Sequence, residues 1–179
     1  MGEKIRLLVV DDERQFLETI CKRLELRNFE VTPVNTGEEA IEAAQKNDFE
    51  IALVDLKMPG MSGEQVLEIL KKEHKFLEVI ILTGHGSIDS AVRSTKLGAY
   101  YYLQKPCELE MLLLVLKEAY QKRIQKKHGY NDEEMEKIIA RMTTESSLEI
   151  LQHLKKFDTI CREKQSLSKF PDEKNYNKS

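Results

Sequence analysis

Three cysteines in 179 residues, far apart and without CxxC spacing, leave little for a disulfide scaffold or a zinc site to use. Cys21, Cys107 and Cys161 therefore read as reduced thiols that act as small apolar fillers. Long hydrophobic runs are missing too. No apolar stretch approaches the roughly 18 residues that a membrane span needs, so no membrane association is expected. Met1-Gly2-Glu3-Lys4 runs straight into a strand-like segment, which predicts no signal peptide and a cytoplasmic protein. A dominant charge sign is also absent: the net charge is −3. Residues 1–123 carry 17 Lys and Arg against 21 Asp and Glu, and residues 124–179 carry 11 against 10. Neither segment has the basic excess of a nucleic-acid-binding module, and DNA is not an expected partner. What remains is 41% hydrophobic and 33% charged, the balance of a water-soluble globular chain. Its length suits one ordinary domain plus something extra, or two small ones.

Short apolar runs recur at a steady interval: Ile5–Val10, Glu30–Val34, Ile51–Val54, Val79–Leu82 and Ala99–Leu103. Runs of four to six residues without alternation suit strands buried on both faces. Between them lie segments of helical spacing. Phe16, Leu17, Ile20, Cys21, Leu24 and Leu26 make one apolar stripe in 13–27. Thr36 is placed to cap a second helix, with Glu39 three residues on. Val66, Leu67, Ile69 and Leu70 line a third helix, and Ile88, Ala91, Val92 and Leu97 a fourth. A leucine-rich fifth runs from about Glu108 to Arg123. Alternating strands and helices predict an α/β fold, a doubly wound five-stranded parallel sheet with helices on both faces. Pro33 cannot donate to a ladder, which puts the second strand at an edge.

In such sheets the reactive site lies beyond the carboxyl ends of the strands. Strand one ends in Asp11-Asp12, strand three in Asp55, strand four in Thr83 and strand five in Lys105-Pro106. Three carboxylates held together repel, so they take up a proton or recruit a cation. A hard divalent ion with oxygen ligands answers that need, and Mg²⁺ suits a site that handles phosphate. Asp55 is then a carboxylate nucleophile for a phosphoryl group, with Lys105 and the Thr83 hydroxyl placed to meet the charge on its oxygens.

"LLVVDDE", "ALVDLKMPGMSG", "VIILTGHGS" and "GAYYYLQKP", in this order, resemble the receiver domain of two-component response regulators over residues 4 to 123. The resemblance implies a flavodoxin-like sheet of order 2-1-3-4-5. It implies that Asp55 is the phosphorylated aspartate and that Asp11 and Asp12 position Mg²⁺. Asp12 would bind the ion directly, with the backbone carbonyl of Lys57. Thr83 matches the switch hydroxyl, Lys105 the phosphate-binding lysine and Tyr102 the aromatic switch residue. The Lys105–Pro106 bond is expected to be cis. The implied partner upstream is a sensor histidine kinase, and the implied activity is self-catalysed phosphoryl transfer and autodephosphorylation, with no enzymatic output. Two positions depart from the pattern: Tyr101 stands where many relatives carry Asp, and Cys107 follows the Lys-Pro where Phe is common.

After Arg123 the pattern changes. Residues 1–123 read as the receiver, 124–164 as a short α-helical C-terminal extension and 165–179 as a disordered tail. Asn131 is placed to cap a helix striped by Met135, Ile138, Ile139 and Met142. "TTESS" (143–147) interrupts the stripe, and Leu148, Leu151, Leu154, Phe157, Ile160 and Cys161 resume it. Three readings stand open for this extension: a linker remnant, a dimerisation or partner-docking helix, and a cryptic DNA reader. A homodimer through residues 87–120 is expected, exposing parts of Tyr100, Tyr101 and the 109–116 helix. A downstream protein partner of unknown identity completes the reading. The rivals are a phosphorelay intermediate, a transcription regulator with a small unrecognised output domain, and a scaffold that is never phosphorylated.

Overall fold

The computed structural model describes residues 3–142 and 146–167. Five strands pair in parallel in the order β2-β1-β3-β4-β5. They are β1 Ile5–Val10, β2 Phe29–Val34, β3 Ile51–Val54, β4 Glu78–Thr83 and β5 Tyr101–Gln104. Between them run α1 Arg14–Glu25, α2 Gly37–Lys46, α3 Gly63–Glu73 and α4 Ile88–Lys96, and after β5 come α5 Leu109–His128, α6 Asp132–Ala140 and α7 Ser147–Leu167. Pro33 does lie on an edge strand. β4 is longer than its apolar run predicts because it begins at Glu78, a buried charged residue. β5 starts two residues later than expected, at Tyr101.

The side-chain period of two splits each central strand between two apolar clusters. Ile5, Leu7 and Val9 of β1 pack with Leu17, Ile20 and Leu24 of α1 and with Leu112, Leu116, Ala119 and Tyr120 of α5. Leu8 and Val10 face the other way, onto Ala40 and Ala44 of α2 and Val66, Leu67 and Leu70 of α3. Caps delimit the helices. Thr36 accepts from the Glu39 amide at 3.1 Å, as its spacing predicts. Ser62 and Gln65 form a reciprocal box at the start of α3, and so do Asn131 and Glu134 at the start of α6.

α5 continues past Arg123 to His128, where Gly129 at φ 78° ends it in the left-handed region. α6 and α7 then fold back onto the same core that holds α1 and α5. Met135, Ile150, Leu151 and Leu154 are buried in that cluster, with Ile139, Leu148 and Phe157 packed at its margin. Burial of a leucine-sized side chain is worth about 1.5–3 kcal/mol, so these residues tie α7 firmly to the sheet's flank. The expected stripe fails at Ile160, which is 49% exposed. Residues 165–167 close α7 rather than open a tail, whereas the rest of the expected tail, 168–179, and the 143–145 part of the interruption lie outside the described residues.

Candidate functional site

Backbone hydrogen bonds carry the sheet one residue beyond its strands, and that extra rung fixes the site. The Asp11 amide donates to the Val34 carbonyl at 3.2 Å, Asp55 to Val10 at 2.9 Å and Lys105 to Thr83 at 2.9 Å. Two acids and the lysine thus leave three different strands at one height. Asp11, Asp12 and Asp55 each offer a carboxylate oxygen, and these oxygens lie within 4.8 Å of one another. Asp11 and Asp55 are buried, Asp12 exposed. Burial pushes the Asp11 carboxyl up from its usual range, against the hydrogen bonds from Lys105 and the Glu13 amide, and the charge of Asp55 adds to the rise.

The Lys105 ammonium forms an ion pair with Asp11, with its side chain 14% exposed. The Lys105–Pro106 bond is cis, as the resemblance implies. The Asp55 Oδ1 is buried and has no hydrogen-bond partner among the described residues. A carboxylate oxygen in that condition calls for a ligand. Three clustered carboxylates around one such oxygen fit a hard divalent cation, and Asp11, Asp12 and Asp55 are the side chains that could hold it.

The loop after β3 is built for close approach. Gly60, at φ 77°, takes the left-handed turn. Gly63 lets α3 start against the end of β3: a Cβ there would sit 2.0 Å from the Asp55 carbonyl oxygen. Lys57 lies in this loop with an exposed side chain.

Thr83 ends β4 fully buried, and its hydroxyl accepts from the His85 amide at 3.2 Å. Tyr102 is not gathered with the acids: its hydroxyl lies 2.9 Å from the Ser90 Oγ at the start of α4. Gly86 gives the ring room, since a Cβ there would meet the Tyr102 hydroxyl at 2.5 Å. One chain of contacts thus joins β5, the β4–α4 turn and α4, and Ser90 in it carried no signal of its own in the sequence. Phe16 of α1 was read only as core stripe, yet the Lys105 ammonium lies 3.7 Å from the centroid of its ring.

A second charged constellation occupies the opposite end of the sheet. Glu50, just before β3, accepts from the Arg6 amide at 3.0 Å and from Lys155 of α7 at 2.7 Å. Asp158 of α7 is wholly buried and contacts Lys127 at 2.9 Å, His128 at 2.7 Å and Arg123 at 3.4 Å. Burial alone would raise the Asp158 pKa, but the hydrogen bonds from His128 and Lys127 and the charges of Lys127 and Arg123 hold it down to about 2. Glu78 is buried between Lys71, at 3.3 Å, and Lys126. His128 meets Asp158 across 30 residues of sequence, a pairing that no local spacing announces.

Only part of the 109–116 helix is exposed: Leu109, Leu112, Leu113 and Leu116 are buried, Leu114 is half-buried and Met111 stands 45% exposed. Tyr101 of β5 is 43% exposed, as expected, and in α4, which packs against β5, Ile88 and Val92 are 84% and 47% exposed.

A family model described as the response regulator receiver domain matches residues 7–117. An uncharacterized transcriptional regulatory protein of Bacillus subtilis, YkoG, is 35% identical over 65% of this chain and 51% of its own length. A receiver domain protein of Clostridium thermocellum shares 34% identity at a TM-score of 0.63, covering 66% of this chain and 95% of that one. The beryllofluoride-activated NtrC4 receiver domain, solved as a dimer, also shares 34% identity at a TM-score of 0.63, covering 66% and 98%. The chain spans 23 to 60% of the length of the curated relatives it matches.

Proposed function

The chain belongs to the response regulator receiver family of two-component systems, and from that premise we propose that Asp55 accepts the phosphoryl group. The buried, unpartnered Asp55 Oδ1 among Asp11, Asp12 and Lys105 is the observation that carries this reading. The Asp55 carboxylate oxygen bonds to phosphorus as the donor's phosphorus–nitrogen or phosphorus–oxygen bond breaks. A sensor histidine kinase is the proposed donor, and acetyl phosphate is a small-molecule substitute that leaves as acetate. Lys105 supplies a positive charge beside the transferred group, and Thr83 a hydroxyl at the end of the neighbouring strand.

Asp11, Asp12 and Asp55, with the Lys57 carbonyl, would hold Mg²⁺. When bound, that ion offsets the negative charge of acids and phosphoryl oxygens. Readout runs from Thr83 through the β4–α4 turn to Ser90 and Tyr102, whose hydroxyl contact must rearrange if the turn moves. The flank carrying Ile88, Val92, Tyr101 and Met111 is the proposed homodimer or partner face. No enzymatic output is assigned, and no helix among the described residues is long and apolar enough to cross a membrane.

Intact mass after incubation with acetyl phosphate and Mg²⁺ tests the assignment. One phosphoryl group is expected on the wild type and none on Asp55→Asn, with EDTA suppressing the gain. Labelling of Asp55→Asn at wild-type stoichiometry overturns the reading. Retention of the group on the wild type with no loss to a histidine-containing acceptor would separate a terminal regulator from a phosphorelay intermediate.

A further inference from the structure

We infer that Phe16 is a positioning residue for Lys105, its ring face holding the ammonium in the site; this rests on the phosphoacceptor reading of Asp55. The Lys105 Nζ lies 3.7 Å from the centroid of the Phe16 ring and also pairs with the Asp11 carboxylate. That distance is well inside the roughly 6 Å at which a ring quadrupole attracts a cation.

The chemistry of the site explains why a ring stands there. A free lysine ammonium on a four-carbon stem samples many rotamers, and ordering it costs about 1.5–2 kcal/mol. A second carboxylate could order it, but would add negative charge where a phosphoryl dianion must enter. A ring face attracts the ammonium with no net charge of its own. It therefore localises Lys105 without weakening the positive field that the incoming group meets. Phe16 is half-buried on α1, and the Lys105 side chain against its ring is only 14% exposed. The residue binds neither donor nor metal; it acts through Lys105.

The test is a double-mutant cycle on the full chain, read as the rate of phosphorylation by acetyl phosphate at fixed Mg²⁺. Phe16→Leu keeps apolar volume and removes the ring. It is expected to slow phosphorylation roughly threefold to tenfold, the range of a partly desolvated cation–ring contact. Phe16→Tyr, which restores a ring face, is expected to recover a rate within about twofold of wild type. In a Lys105→Ala background, Phe16→Leu should have no further effect. An equal slowing in that background means that Phe16 acts by packing alone and overturns the inference. So does a wild-type rate in Phe16→Leu, or failure of Phe16→Tyr to recover the rate lost in Phe16→Leu. Should Phe16→Leu not fold, Phe16→Met takes its place in the cycle. Labelling of Asp55→Asn would sink the underlying phosphoacceptor assignment, a different result from any arm of this cycle.

Discussion

At the carboxyl ends of the strands the Asp11, Asp12 and Asp55 cluster is met, among the described residues, by one ion pair, Lys105 to Asp11, whereas at the amino ends Glu50, Glu78 and Asp158 meet Lys71, Arg123, Lys126, Lys127, Lys155 and Arg162. Both groups of acids are largely buried. The first is under-neutralised and keeps an oxygen without a hydrogen bond; the second has each of its carboxylates met by at least two cations. Burial of charge costs several kcal/mol per ion unless partners return it. An unmet charge is therefore tolerated where a ligand is to bind, and a met one where an element is to be fastened. The difference separates a site from a clasp.

The comparison breaks most readily at Asp158. Asp158→Ala leaves Lys127 and Arg123 facing each other without their shared anion, and should cost about 3–5 kcal/mol. Urea unfolding reads this directly, and a loss below about 1 kcal/mol would show that the cluster fastens nothing.

Acid should undo the same clasp. The folded Asp158 pKa, near 2, is below the unfolded value of about 3.9. The stability it contributes is therefore complete above about pH 4 and is lost as pH falls toward 2, roughly 2 kcal/mol in all. Thermal melts of wild type should fall across this window, and those of Asp158→Ala should fall less.

The opposite sign is expected at the other end. Asp55→Asn removes one of three mutually repelling acids, so stability should hold or rise by about 1 kcal/mol while phosphorylation disappears. Mg²⁺ should raise the melting temperature of wild type and raise that of Asp55→Asn less, by simple linkage. Destabilisation of Asp55→Asn by several kcal/mol would erase the distinction between the two ends.

How these ends could be read from sequence differs for a physical reason. The carboxyl-end acids follow apolar runs directly, Val10 before Asp11 and Val54 before Asp55, and a short buried strand announces where its end residue must lie. Pro33 likewise declares an edge by its missing donor. Glu50 stands just before β3 and Glu78 opens β4, places where a charged residue looks like ordinary solvated surface. Their partners are remote: Lys155 lies 105 residues from Glu50. Only folding brings them together, and no local period encodes it. The α6–α7 pair was visible as stripes, but not its docking site. Ile160 was misassigned because α7 presents its cationic and apolar contacts on a single side and leaves that residue outside. Phe16 was hidden by doing two things at once: it fits the apolar stripe of α1 and also touches Lys105.

The smallest effect concerns the flank between the two ends. Tyr101→Asp returns a charge to a surface shared with Ile88, Val92 and Met111, and should weaken self-association severalfold, since charge there must be desolvated and aromatic anchor area is lost. Light scattering across micromolar concentrations, with and without beryllofluoride, checks this. A monomer under every condition would reassign the flank to another protein.

Glu3, ahead of β1, bonds to Arg162 at 2.7 Å and to Thr159 at 3.0 Å. The first and last parts of the described chain are thus held side by side. Under tension applied between residue 3 and the end of α7, load falls first on these half-exposed contacts, one after another. They open like a zip, each worth about 1 kcal/mol or less. The hydrogen bonds of β1 lie behind them and would bear force only after α7 has begun to lift. A pull at the termini should therefore open these contacts first, and strain the buried leucines and Asp158 cluster of α7 before the hydrogen bonds of β1 bear load.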